Sequence, residues 1–201
     1  MIPGTNLRLL APASGGYVIE GSATLDLNEF LHFTPSSAGN RRTYTIHMIV
    51  KTNSANWGGF NAANGGNISG GDGLGADVFG GFGSGITKGN YSSGWSYVAE
   101  STAKQRDFSA WYDYTLVYDV TQSTSTNRVK VYINGTQVAL DQGSPSFPAQ
   151  NSDYSIGNTV EHNIGMWVNR TGFGGGFQLA RFAWVDGAAL TPAAFGETND
   201  D

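Results

Sequence analysis

Apolar residues fall on every second position from Thr43 to Lys51. Tyr44, Ile46, Met48 and Val50 share one face; Thr43, Thr45, His47 and Lys51 share the other, with Ile49 as the exception. A two-residue period marks an extended strand with one face on a core. The run from Trp111 to Val120 repeats it, with Tyr112, Tyr114, Leu116, Tyr118 and Val120 set against Asp113, Thr115 and Asp119. From Arg128 the pattern passes through Val129, Val131 and Ile133, meets Asn134-Gly135, and resumes from Thr136 to Leu140. Asn-Gly between two such runs predicts a two-residue hairpin with both turn residues at positive φ. Further strands are expected over residues 17–20, 29–34, 154–156, 160–167 and 177–186. The last is apolar on both faces and so is expected to be covered on both. Thr191 to Phe195 reads as one helical turn, with Thr191 as N-cap and Pro192 in first position.

Short strands separated by turn residues predict an all-β antiparallel sandwich. Twenty-nine glycines in 201 residues and only 13% charged residues exclude a helical bundle. A hydrophobic share of 39%, with 12% aromatic, supplies a core and argues against disorder. One domain, residues 17–201, is expected, preceded by an arm over residues 1–16. The arm carries Leu7, Leu9 and Leu10, too apolar for a solvated tail, and is expected to dock on a partner or a neighbouring copy. The net charge of −5 comes without a basic patch, which excludes non-specific nucleic-acid binding. No apolar run is long enough to insert into a membrane. No cysteine is present, so neither disulfides nor thiolate chemistry is available. The first residues lack the charged and apolar regions of a secretory leader. The sequons at Asn67, Asn90, Asn134 and Asn169 therefore read as products of composition, and synthesis in a host cytoplasm is expected.

The outlier is the stretch from Trp57 to Trp95, which holds the densest glycine. One or two strands, over residues 76–82 and 95–99, are expected there, joined by long loops that form an exposed, partner-facing end.

Several segments carry a resemblance. Phe33-Thr34-Pro35-Ser36-Ser37-Ala38-Gly39-Asn40-Arg41-Arg42-Thr43-Tyr44-Thr45 resembles the opening of the concanavalin A-like, laminin-G-like jelly-roll domains of structural and tail proteins of tailed bacteriophages. So do Arg106 to Tyr112 (RDFSAWY), Thr126 to Gly135 (TNRVKVYING) and Ala189 to Thr198 (ALTPAAFGET). The resemblance runs in order from about residue 17 to 198. It implies a concanavalin A-like β-sandwich with one short C-terminal helical turn, and a non-enzymatic protein of the virion. Capsid decoration or fibre, and tail adhesin, are the two placements. The partners it implies are other virion proteins, with adhesion to host or environmental glycans and a homo-oligomer as further expectations. A chain opening on its own Met and stopping just after the domain reads as a separate small virion protein. A free-standing lectin-like module is the alternative, and a polysaccharide hydrolase the third reading.

The hydrolase fares worst. Glycoside hydrolysis needs two carboxylates flanking one bond. Asp113 and Asp119 share a strand face but stand roughly 20 Å apart, and Asp26 and Glu29 fall in a turn. His32, His47 and His162 show no metal or triad spacing and read as surface residues. Asp72 and Asp77, within Gly71-Asp72-Gly73-Leu74-Gly75-Ala76-Asp77, carry oxygens of the kind Ca²⁺ takes; solvated turn residues are the competing reading, and no other cofactor is implied. The aromatic and amide residues of the glycine-rich stretch suit a neutral surface. Trp57, Phe60, Asn61, Asn64, Tyr91 and Trp95 are the candidate glycan contacts, set against the reading that these rings pack the core.

Overall fold

The computed structural model describes residues 19, 21–26, 29–52, 57–63, 76–82, 85–91, 95–141, 147–165 and 176–196. The arm, with Leu7, Leu9 and Leu10, lies outside them, as do Asn64 and Asp72. Among the described residues, thirteen strands form two antiparallel sheets. The six-stranded sheet runs β1 (Ala23–Leu25), β13 (Phe177–Asp186), β3 (Thr43–Thr52), β8 (Tyr112–Asp119), β9 (Val129–Ile133) and β10 (Thr136–Val138). The seven-stranded sheet runs β11 (Leu140–Asp141), β7 (Trp95–Ser101), β6 (Gly85–Tyr91), β5 (Ala76–Phe82), β4 (Trp57–Ala63), β12 (Glu161–Gly165) and β2 (Leu31–Phe33). The expected all-β sandwich is what forms. No helix among the described residues is long and apolar enough to cross a membrane.

The alternating residues build the core. Tyr44, Ile46, Met48 and Val50 of β3 meet Leu116 and Tyr118 of β8, and Phe60, Ala62, Tyr97 and Ala99 of the opposite sheet. Tyr44 stacks on Tyr118 at 4.6 Å between centroids, and Phe60 lies 5.0 Å from Phe182 across the sandwich. Aromatic rings of this size supply much of the apolar burial.

The hairpin forms as read, with Asn134 at φ 50° and Gly135 at φ 77°. The Asn134 carboxamide accepts from the Asp113 backbone N–H (2.9 Å), and the Asn134 N–H donates to the Asp113 carbonyl (2.8 Å). The run after the turn does not stay in one sheet. Thr136–Val138 pairs with β9, and Leu140–Asp141 pairs with β7, so the chain changes sheets at Ala139. The Pro192–Ala194 turn is 3-10, preceded by Thr191, whose side chain makes no capping bond.

Three expectations are corrected. Residues 154–156 form a turn rather than a strand. Arginine side chains hold that segment: Arg41 donates to the Tyr154 carbonyl (2.6 Å) and Arg42 to the Asp153 carboxylate (2.9 Å). The stretch from Trp57 to Trp95 is no set of loops around one or two strands. It contributes β4, β5, β6 and β7, the centre of the seven-stranded sheet. Glycines stand where alternate side chains would show the period, so the pairing left little trace in the sequence. Asp77 accordingly lies in β5, in register with Ala62 and Asn90, rather than in a turn. The third correction concerns histidine: His47 is 1% exposed and His162 fully buried.

Candidate functional site

Each buried histidine has a different reason for its place. His162 faces the core, stacked at 5.4 Å on Trp184 and 5.1 Å on Phe33. Its Nε2 accepts from the Gly157 N–H (3.1 Å), so Nδ1 carries the proton and donates to the Val160 carbonyl (2.7 Å). Burial holds its pKa below the usual histidine value. Both nitrogens are occupied, and the ring is a structural one.

His47 lies on the other face of the six-stranded sheet. Residues 187–196 fold back across that face. Thr45 anchors them, its hydroxyl donating to the Ala188 carbonyl (2.7 Å) and accepting from the Leu190 N–H (2.8 Å). Phe195 then lies parallel on His47 at 4.4 Å. Arg181 donates to the Phe195 carbonyl (2.6 Å) and sits 5.8 Å over its ring. Beneath, His47 Nδ1 is 3.1 Å from Thr115 Oγ1 and 3.3 Å from Asp113 Oδ1. Burial, helped by the Arg181 cation, lowers His47 to about 4. Burial raises Asp113 to about 6, against the opposing pull of Arg181 and the Thr115 hydroxyl. The cluster is roofed by the chain's own C-terminal segment.

The outer face of the seven-stranded sheet is built differently. Phe60 and Ala62 of β4 are core residues, as is Ile164 of β12, and His162 packs inward with them. Strand alternation therefore turns Asn61 and Asn163 to the opposite face. The two are Cα partners, and Asn163 is also the partner of His32 in β2. A row of His32, Asn163 and Asn61 thus crosses three strands. His32 is exposed and stands 4.0 Å from the Glu161 carboxylate, with Phe30 5.6 Å from its ring. Asn163 is fully buried, yet neither its amide oxygen nor its amide nitrogen has a hydrogen-bond partner. Leaving a buried polar group unpaired costs about 1–3 kcal/mol, so this amide needs an explanation beyond packing.

The sequence-derived candidates are dispersed. Phe60 belongs to the core between the sheets and is corrected as a ligand contact, because its position in β4 points inward. Asn61 lies in the amide row. Tyr91 and Trp95 are Cα partners at one end of β6 and β7. Trp57 pairs with Gly81 at the other end of β5 from Ala76, the partner of Tyr91. Among the described residues no group of three metal-ligating side chains forms. Asn163, His32 and Glu161 were missed. Their only trace is the polar alternation of Glu161 and Asn163 against His162 and Ile164.

No protein-family model matches the sequence, and no characterised protein matches it at the level of sequence. Solved structures do match in fold. Domain 4 of an extracellular GH43 arabinanase from Geobacillus stearothermophilus, in complex with arabinotriose, superposes with a TM-score of 0.57 at 19% identity, over 86% of this chain and 73% of that one. The CBM40 of the Ruminococcus gnavus IT-sialidase, bound to α2,3-sialyllactose, gives 0.53 at 15% identity, over 87% and 97%. Domains LG4–5 of the mouse laminin α1 chain give 0.53 at 10% identity, over 85% of this chain and 43% of that one. At such identities the likeness is one of fold, and it bears out the concanavalin A-like sandwich.

Proposed function

We propose that this chain is a glycan-binding jelly-roll module that acts without turnover and is displayed on the surface of a tailed-phage particle. One observation carries the binding reading: a polar row on the outer face of the seven-stranded sheet, where exposed His32 is in register with Asn163, whose buried amide is unpaired at both ends, and with Asn61. An amide offers one acceptor and one donor group, the complement of a sugar hydroxyl, which does both. His32 and Glu161 extend the same face with groups that donate and accept. The ligands named for the arabinanase domain and the sialidase module are carbohydrates, which supports the same reading. Cleavage would call for two carboxylates flanking one bond, and the strands carry no such pair at even spacing on one face. The phage setting rests on the sequence segments quoted above, and the arm with Leu7, Leu9 and Leu10 is the element assigned to docking on other virion proteins.

The test is an array of plant, bacterial and host glycans probed with the wild-type chain and with Asn163→Ala. Binding by the wild type that is lost in the folded variant supports the reading. An array with no bound glycan, or with equal binding by both proteins, overturns it. Antibody labelling of purified particles tests the placement.

A further inference from the structure

The other sheet carries a groove that the amide row does not use. Thr24, Gln178 and Lys51 are successive Cα partners across β1, β13 and β3, so their side chains form one row. Val50 and Leu179, the neighbours of Lys51 and Gln178, are core residues, which turns the row outward. Together with Asp26, Thr52 and Phe108 it lines a cavity of about 170 Å³. Phe108 is set there by its own turn. The Asp107 carboxylate accepts from the Ser109 N–H (2.8 Å) and from its hydroxyl, and the Ala110 N–H closes on the Asp107 carbonyl. The ring is left 39% exposed. The Thr24 hydroxyl, the Asp26 carboxylate and the Gln178 amide have no hydrogen bond among the described residues.

We propose that this groove is a second ligand site, for a single ring of a neutral sugar. Its volume is well below the several hundred Å³ typical of pockets for larger ligands, which suits one ring rather than an oligosaccharide. The exposed phenyl face suits the C–H face of a pyranose. Hydroxyl, amide, carboxylate and ammonium around it pair with groups that both donate and accept. Lys51 and Asp26 line the same cavity with opposite charge, so an anionic or cationic sugar loses at one what it gains at the other. The groove lies on the six-stranded sheet, so this inference stands or falls apart from the Asn163 face. Two sites on one module also raise the avidity for a branched or repeating glycan without any new contact.

The experiment is saturation-transfer NMR and calorimetry on the full chain with the methyl glycosides of glucose, galactose and mannose, and with glucuronate and glucosamine as charged probes. At least one neutral glycoside is expected to bind, with transfer from phenyl protons. Phe108→Ala and Gln178→Ala should each weaken it by about five- to tenfold. Unaltered melting temperatures of the two groove variants show that the fold is kept. Absence of binding by all three neutral glycosides, tighter binding of a charged probe, or an unchanged number of glycosides bound per chain in the Phe108→Ala/Gln178→Ala double variant overturns the site.

Discussion

The two sheets of the sandwich differ in how their outer polar residues are covered and paired. On the six-stranded sheet, residues 187–196 cover Thr45, His47 and Thr115, and the Thr45 hydroxyl and the Arg181 guanidinium hold the cover in place. The pairing there is regular, with one register shift, between Leu179 and Arg181. The described part of the seven-stranded sheet has three such shifts, at Trp57/Phe60, Asn90/Tyr91 and Ile164/Gly165, in strands rich in glycine. Shifts of this kind bend a strand and re-aim its side chains. On that sheet lies Asn163, buried and unpaired. Under that cover the Thr45 hydroxyl is paired while His47 Nε2 and Asp113 Oδ1 are not; on the other sheet both ends of the buried Asn163 amide are unpaired. Proteins commonly accept such a local cost where a site must bind.

The largest test of this contrast concerns the core both sheets share. Phe60→Ala should cost about 3–5 kcal/mol, the range for a buried phenyl group, read as a large fall in melting temperature. An unchanged melting temperature would return Phe60 to the ligand surface. Next comes the anchor of the covered face. Thr45→Val removes both bonds to residues 188 and 190 and should cost about 1–3 kcal/mol, with faster exchange of the Leu190 amide. If exchange there stays slow, the segment is held by Phe195 and Arg181 instead.

A subtler effect separates the two ionisable groups under Phe195. Asp113 is raised from 3.8 to about 6 in the folded chain, so its contribution is full below pH 4 and is lost as pH rises through 6. His47 is lowered from 6.5 to about 4, so its contribution is full above pH 6.5 and is lost as pH falls toward 4. The two slopes oppose each other in one window, and the wild type should be nearly flat between pH 4 and 6.5. Asp113→Asn should expose the histidine slope, with stability falling on acidification, and His47→Gln the opposite slope. Chemical denaturation across that range measures both, and parallel curves for all three proteins would refute the coupling. The smallest effect is expected at Asn163. Asn163→Ala relieves an unpaired amide and should alter stability by less than about 1 kcal/mol, with the sign stabilising. A clear loss would mean that the amide is a structural one.

The hairpin at Asn134-Gly135, the strands β3, β8, β9 and β13, and the turn after Thr191 were legible because each is specified locally. A two-residue alternation, a dipeptide that tolerates positive φ, and a proline at a helix start act within a few residues. Local rules could not give the rest. Within the glycine-rich stretch β5 and β7 were expected as strands, whereas β4 and β6 hold together through backbone pairing with little side-chain signal, so they read as loops. Residues 154–156 have the composition of a strand, but Arg41 and Arg42 reach across more than a hundred positions to hold them as a turn. The polar face of β3 looked solvated because nothing near His47 in sequence foretells Phe195 lying on it, and Phe60 could be placed inward only once its strand had partners. The sequence alone determined which segments extend and where a few of them turn, since those preferences are settled by neighbours along the chain. Which faces are buried, which amide is left without a partner, and which residues gather around Phe108 were decided only by the tertiary structure, because burial and hydrogen bonding depend on what packs against a residue from elsewhere in the chain.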